Sequence, residues 1–296
     1  MGNRLDRGES MIKQYQEGMQ ITEPCYVSNM PADIYHAHDS ISNTGLKLMM
    51  RSPAHYKYSD VKDKSTRFKV TGSALHMACL EPDIFYDTYH LLRSSENRMS
   101  SEYKTAKKEY GEEFVLVKPE IEKIEGMAKS LRKSVISEYL DNEYCAKELS
   151  GFAIDPETGL MCRHRFDAYI GRIAIDLKTT TDARPHAFSK KILDFGYHIQ
   201  AAFYADQYRW LMNEEIEKFI FAAIETSAPY AVKIYELEQD SMEAGRKKYR
   251  QALNEYAQCK ATDTWPSYDQ EIETIGIPQW ALEKDAIDDF IFTDEE

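Results

Sequence analysis

Two apolar runs that meet at Gly171 constrain the fold of this chain more than any other segment. Residues 166–170 and 172–180 are rich in β-branched and aromatic side chains, and a single glycine separates them, which is typical of a β-hairpin. Side chains two residues apart on a strand point to the same face of the sheet. The pattern therefore predicts that Asp176 and Lys178 lie side by side on an otherwise apolar strand.

The first strand of the hairpin adds a second acidic residue. Asp167 precedes Asp176 by nine residues, a separation that lets the hairpin bring the two carboxylates close together. Charged groups on an apolar strand carry a desolvation cost unless they are paired or bind an ion. The hairpin thus predicts a site for a hard divalent cation with an ammonium beside it. The alternative is a plain surface salt bridge between Asp176 and Lys178 on an edge strand.

The segments around the hairpin predict a mixed α/β domain with a central sheet flanked by helices. Residues 145–154 form another predicted strand, with Glu148 inside it, so that 145–179 is a three-stranded antiparallel meander with one acid on each strand. Helical patterns precede the meander and follow it, most clearly at residues 197–212 and 241–259. Strands interleaved with helices indicate this class of fold.

Three other segments give weaker patterns. We expect a short helix in Asp6–Met19, a strand over residues 84–92, and one long helix from Pro119 to about Tyr139.

The charge balance of the chain neither indicates nor excludes nucleic-acid binding. The 296 residues carry a formal net charge of -13, whereas contacts to phosphates need local positive charge. About half of this negative charge lies in Glu283–Glu296, which contains seven acids and one lysine. An acidic exterior can coexist with a basic groove, and carboxylates that bind a metal add negative charge themselves.

The cysteines and the hydropathy pattern exclude further classes of site. None of the five cysteines forms a Cys-x-x-Cys pair, so we expect no zinc ribbon and no iron–sulfur cluster. No apolar run approaches the ~20 residues that span a bilayer, and the first residues lack an apolar signal core. We therefore expect a cytoplasmic protein with no membrane partner.

Further polar landmarks follow in a fixed order along the chain. Gly72 precedes His76 by four residues on a predicted helix, and Gln200 precedes Tyr204 by four on a later one, which places each pair on one helical face. With Asp167 and Asp176-Leu177-Lys178-Thr179 between them, these motifs resemble the RecB-like branch of the PD-(D/E)XK nuclease superfamily. The segments Tyr35-His36-Ala37-His38, Ser52-Pro53-Ala54-His55-Tyr56 and Arg163-His164-Arg165-Phe166-Asp167 are similar to RecE-type exonucleases, represented by the nuclease domain of exodeoxyribonuclease VIII.

This resemblance implies a restriction-endonuclease-like core and specific roles at the site. Asp167, Asp176 and the carbonyl of Leu177 would bind Mg²⁺, with Mn²⁺ able to substitute, and His76 would be a further metal ligand. Lys178 would act on the attacking water and on the transition-state charge. The remaining catalytic and DNA-binding residues are expected to be Glu148, Gln200, Tyr204, Arg163, Arg165 and Thr179.

The resemblance also implies a domain organisation, a reaction and partners. The expected division is an N-terminal arm at 1–34, a RecE-like nuclease domain at 35–282 and an acidic tail at 283–296. The expected activity is 5′-to-3′ digestion of linear double-stranded DNA from its ends, leaving 3′ single strands for recombination. A ring-shaped homo-oligomer, a tetramer in the simplest case, and a single-strand annealing protein are the implied partners.

Two alternatives to this function stay open. One is an endonuclease or a nuclease of the CRISPR-adaptation type, although many of the latter carry a cysteine cluster that is absent here. The other is a non-catalytic DNA-binding module that has kept the fold.

Overall fold

A computed structural model describes residues 12–59, 67–279 and 282 of the chain. The strands are β1 (Ile12–Gln14), β2 (Cys25–Ser28), β3 (His90–Leu92), β4 (Val115–Val117), β5 (Ala146–Ile154), β6 (Met161–Ile170), β7 (Ile173–Thr180), β8 (Lys218–Glu225) and β9 (Val232–Glu236). The α-helices are α1 (Ala32–Ala37), α2 (Asn43–Arg51), α3 (Pro53–Lys57), α4 (Arg67–Leu80), α5 (Pro82–Thr88), α6 (Ser101–Tyr110), α7 (Lys118–Arg132), α8 (Ser137–Leu140), α9 (Pro185–Asp194), α10 (Tyr197–Met212) and α11 (Gln239–Thr262).

The central sheet is mixed and has seven strands. Their order is β1-β2-β5-β6-β7-β8-β9, and a separate small sheet pairs β3 with β4. The β5-β6-β7 meander is antiparallel, whereas β7 and β8 run parallel because α9 and α10 connect them. This architecture confirms the predicted mixed α/β fold with a central sheet flanked by helices.

Apolar side chains on both faces of the sheet bury it between helices. One face packs against α4 and α7 through a core that contains Leu75, Ile124 and Leu177. The other face packs against α10 through a core that contains Phe166, Ala201 and Phe221. Helices α2 and α11 cover the outer side of α10. Because Leu177 and Asp176 are neighbours on β7, the strand turns its acid towards α10 and its leucine towards α4.

Several secondary-structure predictions need correction. The strand predicted at 84–92 is wrong over residues 84–88, because Pro82 begins the helix α5 and Phe85 on it is buried. It is confirmed at His90–Leu92, which is strand β3. The long helix predicted to Tyr139 ends at Arg132, and α8 follows as a separate turn. The helix predicted for Asp6–Met19 is wrong at Ile12–Gln14, which is strand β1.

The structure describes the N-terminal segment from residue 12 onwards. Residues 12–34, expected to form an arm, contribute β1 and β2 to the central sheet. The acidic tail at 283–296 lies outside the described residues. Among the described helices, none combines the length and apolar character that crossing a bilayer requires.

Candidate active site

The acids of the hairpin lie where β6 and β7 separate. Pairing between these strands runs from Ile170 opposite Ile173 to Ala168 opposite Ile175. Beyond that point β6 continues along β5, and β7 continues along β8. Asp167 and Asp176 are the next residues on the two diverging strands, and we call this position the fork. The divergence leaves backbone and side-chain groups at the fork available for other bonds.

Strand β6 also reverses its faces at the fork. Phe166 packs in the core beneath α10, whereas Ala168 packs in the core beneath α4, although side chains two apart normally share a face. On the neighbouring strand Glu148 has a positive φ of 48°, a conformation that is strained for a residue with a side chain. It lies between two regular pairs, Lys147 with Ala168 and Leu149 with Phe166. The irregular backbone therefore lies at Asp167 and Glu148.

This irregularity brings three ligand-type side chains together. His76 Nδ1 on α4 lies 3.4 Å from Asp167 Oδ2. The nearest ligand atoms of His76, Glu148 and Asp167 all lie within 4.8 Å of one another. Asp167 Oδ2 also accepts a hydrogen bond of 2.6 Å from the backbone N–H of Leu177. The β7 backbone thus fixes the carboxylate that faces His76.

A second polar group lies on the α10 side of the fork. Lys178 Nζ lies 2.5 Å from Asp176 Oδ2, as expected for side chains on one strand face. Gln200 on α10 donates from Nε2 to Asp176 Oδ1 at 2.5 Å, and its Oε1 accepts from Lys178 Nζ at 3.2 Å. The amide of Gln200 therefore orients the acid and the lysine together.

Two residues at this site were missed by the sequence interpretation. The ring of Tyr197 lies 4.6 Å from Lys178 Nζ, and the ammonium of Lys47 on α2 donates to the carbonyl of Phe195 at 2.6 Å. Tyr197 precedes Gln200 by one helical turn, a spacing that could have indicated it. Nothing in the local sequence distinguishes Lys47, because α2 reaches the site only through tertiary packing.

The two arginines predicted to bind DNA, Arg163 and Arg165, make hydrogen bonds within the protein. Arg163 is 8% exposed, and its guanidinium donates to the backbone carbonyls of Ser40, His38 and His36. Arg163 is thus not positioned as a phosphate clamp, since both of its terminal nitrogens bond the segment at and after the end of α1. Arg165 donates to Ser150 Oγ and to the carbonyl of Met30, and it lies 3.7 Å from Glu148. Arg165 borders the site, and its hydrogen bonds join β6 to β5 and to the segment after β2.

Tyr204 packs beside the fork through its ring, and Thr179 lies on the strand face opposite to that of Lys178. The ring of Tyr204 packs at 5.4 Å from His164 and 6.0 Å from Phe166, between α10 and β6. Thr179 follows Lys178 in β7, so strand alternation directs it to the opposite face. Of the residues predicted for the site, the fork holds two groups. His76, Glu148 and Asp167 form one, and Asp176, Lys178 and Gln200 form the other. The hydrogen bond from the Leu177 N–H to Asp167 joins them.

Burial and neighbouring charges shift the titration of this cluster. Burial raises the pKa of Glu148 to about 7, with the Asp167 charge adding to the rise. Burial also raises the pKa of Asp176, although Lys178 opposes this. For Asp167 the effect of burial is overcome by His76 and Lys178, which lower its pKa. Burial disfavours the His76 cation, but Asp167 raises the pKa of His76 to about 9. At neutral pH the cluster therefore contains an ionised Asp167, a protonated His76 and a Glu148 carboxyl that is partly protonated.

The donor set fits a divalent cation. Asp176 Oδ2 is buried, and within the described residues no donor makes an aligned hydrogen bond to it, despite the proximity of the Lys178 ammonium. The buried Asp176 carboxylate and the cluster of His76, Glu148 and Asp167 offer the oxygen and nitrogen ligands that such a cation accepts. A bound cation would also relieve the repulsion that raises the pKa of Glu148.

We expect the metal-free protein to lose stability as the pH rises through neutrality. Because the folded-state pKa of Glu148 is raised to about 7, its contribution is fully present below its unfolded value and is lost as the pH passes 7. The upper bound of this loss is about 3 kcal/mol. Urea unfolding in EDTA between pH 5 and 8 measures it, and Glu148→Gln should flatten the curve.

His76 supplies a second, separable part of that pH dependence. Its pKa is raised from 6.5 to about 9, so its contribution is fully present below pH 6.5 and is lost as the pH rises towards 9. This loss should persist in Glu148→Gln, whereas the loss below pH 6.5 should disappear. An unchanged slope between pH 5 and 8 in Glu148→Gln would contradict the assignment of the buried, protonated carboxyl to Glu148.

The fold and the site correspond to a known family. The family described as "PDDEXK-like domain of unknown function (DUF3799)" matches residues 42–276, which include every residue at the fork. A candidate exonuclease from Eubacterium rectale has a similar structure, with 13% identity and a TM-score of 0.59, covering 86% of this chain and 98% of its own.

Other comparisons are more distant. A phage-related exonuclease from Haemophilus somnus 129PT is 13% identical, with a TM-score of 0.33 over 77% of this chain and 97% of its own. No curated protein matches the chain. At 13% identity, the similarity to the Eubacterium rectale structure, with its TM-score of 0.59, shows a shared fold.

Proposed function

The chain belongs to the PDDEXK-like family (DUF3799), and on this premise we propose that it is a metal-dependent exodeoxyribonuclease of the RecE type that digests linear double-stranded DNA from the 5′ end. The observation that supports this proposal is the fork itself. Asp167 and Asp176 stand on diverging strands, and Lys178 lies 2.5 Å from Asp176. Two carboxylates with an adjacent ammonium provide ligands for a cation and a positive charge for a phosphate.

Each residue of the fork has a role in this proposal. Asp167, Asp176, His76 and the carbonyl of Leu177 would hold the cation, which we propose to be Mg²⁺, with Mn²⁺ as a substitute. Such a cation, when bound, polarises the phosphate and supplies a nucleophilic water at neutral pH. Glu148 borders the same ligands and is positioned to orient that water.

Lys178 and Gln200 act on the charge and geometry of the reacting group. Burial lowers the pKa of Lys178, but Asp176 and Asp167 overcome this and raise it, so the side chain is an ammonium at neutral pH. An ammonium held in a buried site stabilises negative charge that develops on the phosphate. Gln200 fixes this ammonium and the Asp176 carboxylate relative to each other.

The wider biological role rests on the same premise. We propose that the product is a 3′ single-stranded overhang used for recombination with a single-strand annealing protein. We also propose that the protein acts as a ring-shaped homo-oligomer, a tetramer in the simplest case, with DNA passing through a basic bore and the acidic surface outside.

End-labelled DNA tests the proposal directly. Linear duplexes labelled separately at the 5′ and 3′ ends should release the 5′ label first when Mg²⁺ is present and release nothing in EDTA. Closed circular DNA of the same sequence should stay intact because it has no ends. The matched control is the same protein carrying Asp176→Ala, checked for folding by circular dichroism.

The other outcomes separate the competing functions. Cleavage of closed circles would favour the endonuclease or CRISPR-adaptation-type alternative. Binding of DNA without cleavage in either Mg²⁺ or Mn²⁺ would favour the non-catalytic module. Release of the 3′ label first would reverse the proposed polarity while retaining the nuclease.

A further inference from the structure

The loop between α9 and α10 presents an aromatic ring next to the fork. Phe195 is 55% exposed, and its ring stacks on Tyr197 with a centroid distance of 5.7 Å and an angle of 17°. The ammonium of Lys178 lies 4.6 Å from the ring of Tyr197. Two aligned rings therefore extend from the ammonium at the fork to the solvent, and the outer ring has an uncovered surface.

A second ammonium is fixed at the same edge. Lys47 Nζ donates to the carbonyl of Phe195 at 2.6 Å, and no described acid lies within ion-pair distance of it. Burial and the charge of Lys178 lower the pKa of Lys47 to about 8, while Asp176 opposes this. The side chain thus lies in the electrostatic field of the fork, and a nearby anion would stabilise its charged form.

The backbone holds these groups in one arrangement. Gly196 has a φ of +63°, and a β-carbon at this position would lie 3.3 Å from Lys47 Cε and 3.2 Å from Ile199 Cδ1. A glycine therefore lets the lysine stem approach the loop closely while α10 begins at the next residue. The position of Phe195 relative to Lys47 is set by packing as well as by the hydrogen bond.

An exposed ring and an ammonium match the two chemical parts of a nucleotide. We infer that Phe195 stacks on the base, and Lys47 binds the phosphate, of a nucleotide next to the scissile bond. This inference rests on the proposed nuclease function. Aromatic stacking needs a base face that is free of its neighbour, which a nucleotide at the end of a strand or in an unstacked single strand provides. The surface formed by Phe195 and Lys47 therefore suits a nucleotide at a DNA end or in a single strand.

Removing single bases from the substrate tests the stacking contact. Strands carrying one abasic site at each of the first positions from the cleaved end are compared with the intact strand. Phe195→Ala should lower kcat/KM about 5- to 100-fold on the intact strand. It should have no effect on the strand that is abasic at the contacted position, because that strand has no base to stack. Phe195→Trp should retain the wild-type preference.

Tyr110 provides the matched control. It is 46% exposed and stacks on His90 at 4.3 Å, but it lies on α6 beside the small sheet. Tyr110→Ala should leave kcat/KM unchanged on every strand. For the phosphate contact, Lys47→Gln should reduce the slope of log affinity against log salt by about 0.7, the value for one phosphate on a single strand.

The outcomes distinguish this inference from the proposed function. If the wild-type protein cleaves DNA but Phe195→Ala matches it on intact strands, the nucleotide contact is wrong and the nuclease stands. An equal loss on intact and abasic strands would also overturn it, since the ring would then act only on the structure of the loop. If the wild-type protein neither binds nor cleaves DNA, both proposals fail.

Discussion

Asp176→Asn is expected to reduce metal-dependent DNA cleavage by at least about 1,000-fold, or ~4 kcal/mol of transition-state stabilisation. The carboxylate is 4% exposed and stands at the point where β6 and β7 diverge. The asparagine side chain keeps the shape and an acceptor for Lys178 but removes the negative charge that a cation requires. Single-turnover cleavage of end-labelled DNA measures the loss, and calorimetry measures the accompanying fall in affinity for the metal.

A substitution at a second buried acid, Asp206, shows whether the loss of cleavage in Asp176→Asn comes from the chemistry of the site or from instability of the fold. Asp206 lies on α10, is 1% exposed and is bonded by Arg246 at 2.7 Å and by the hydroxyl of Tyr249. Asp206→Asn should lower the free energy of unfolding by about 1–3 kcal/mol, because it weakens the charge-assisted hydrogen bonds that Arg246 and Tyr249 make to this buried carboxylate. Its folded fraction should cleave at the wild-type rate. Comparable cleavage by Asp176→Asn and the wild type would remove Asp176 from the site.

Lys178→Met is expected to lower the cleavage rate about 100- to 10,000-fold while increasing the affinity for a divalent cation. The two effects have one cause. The Lys178 ammonium lies 2.5 Å from Asp176, where it provides charge for the phosphate and also repels a second cation. Isothermal titration with Mn²⁺ in the absence of DNA measures the affinity, and single-turnover assays at saturating metal measure the rate.

Lys178→Arg separates charge from geometry at this position. Arginine keeps a positive charge, but its planar group cannot occupy the site of a compact ammonium that also donates to Gln200. We expect it to restore no more than a small part of the rate. Full activity in Lys178→Arg would show that any nearby cation suffices, and weaker metal binding in Lys178→Met would contradict the proposed repulsion.

Periodicity in the sequence predicted the parts of the site that depend on one element. Strand alternation placed Asp176 beside Lys178, and the ion pair between them confirms this geometry. The hairpin brought Asp167 next to the β7 backbone. The mixed α/β fold followed from the order of strands and helices, which is a property of long, periodic segments.

Features that depend on distant packing were not accessible from the sequence. A regular strand predicts neither the positive φ of Glu148 nor the reversal of β6 at Asp167, and both features lie where β6 and β7 diverge. In the sequence Arg163 cannot be distinguished from an arginine that binds phosphate at the surface. In the structure its guanidinium donates to backbone carbonyls more than one hundred residues earlier in the chain. Lys47 reaches the fork only because α2 packs against α10.

The fork has a consequence for how the protein tolerates mutation. Three residue pairs join β6 to β7 within the described strands, whereas eight join β7 to β8 and eight join β5 to β6. The two halves of the sheet are therefore also connected through α10, whose Ala201 and Ala205 share a core with Phe166 of one half and Phe221 of the other. Enlarging either alanine would change the separation of the two acids without touching them. Residues remote from the chemistry thus set its geometry, and the small side chains of α10 limit how far this sequence can diverge while remaining active.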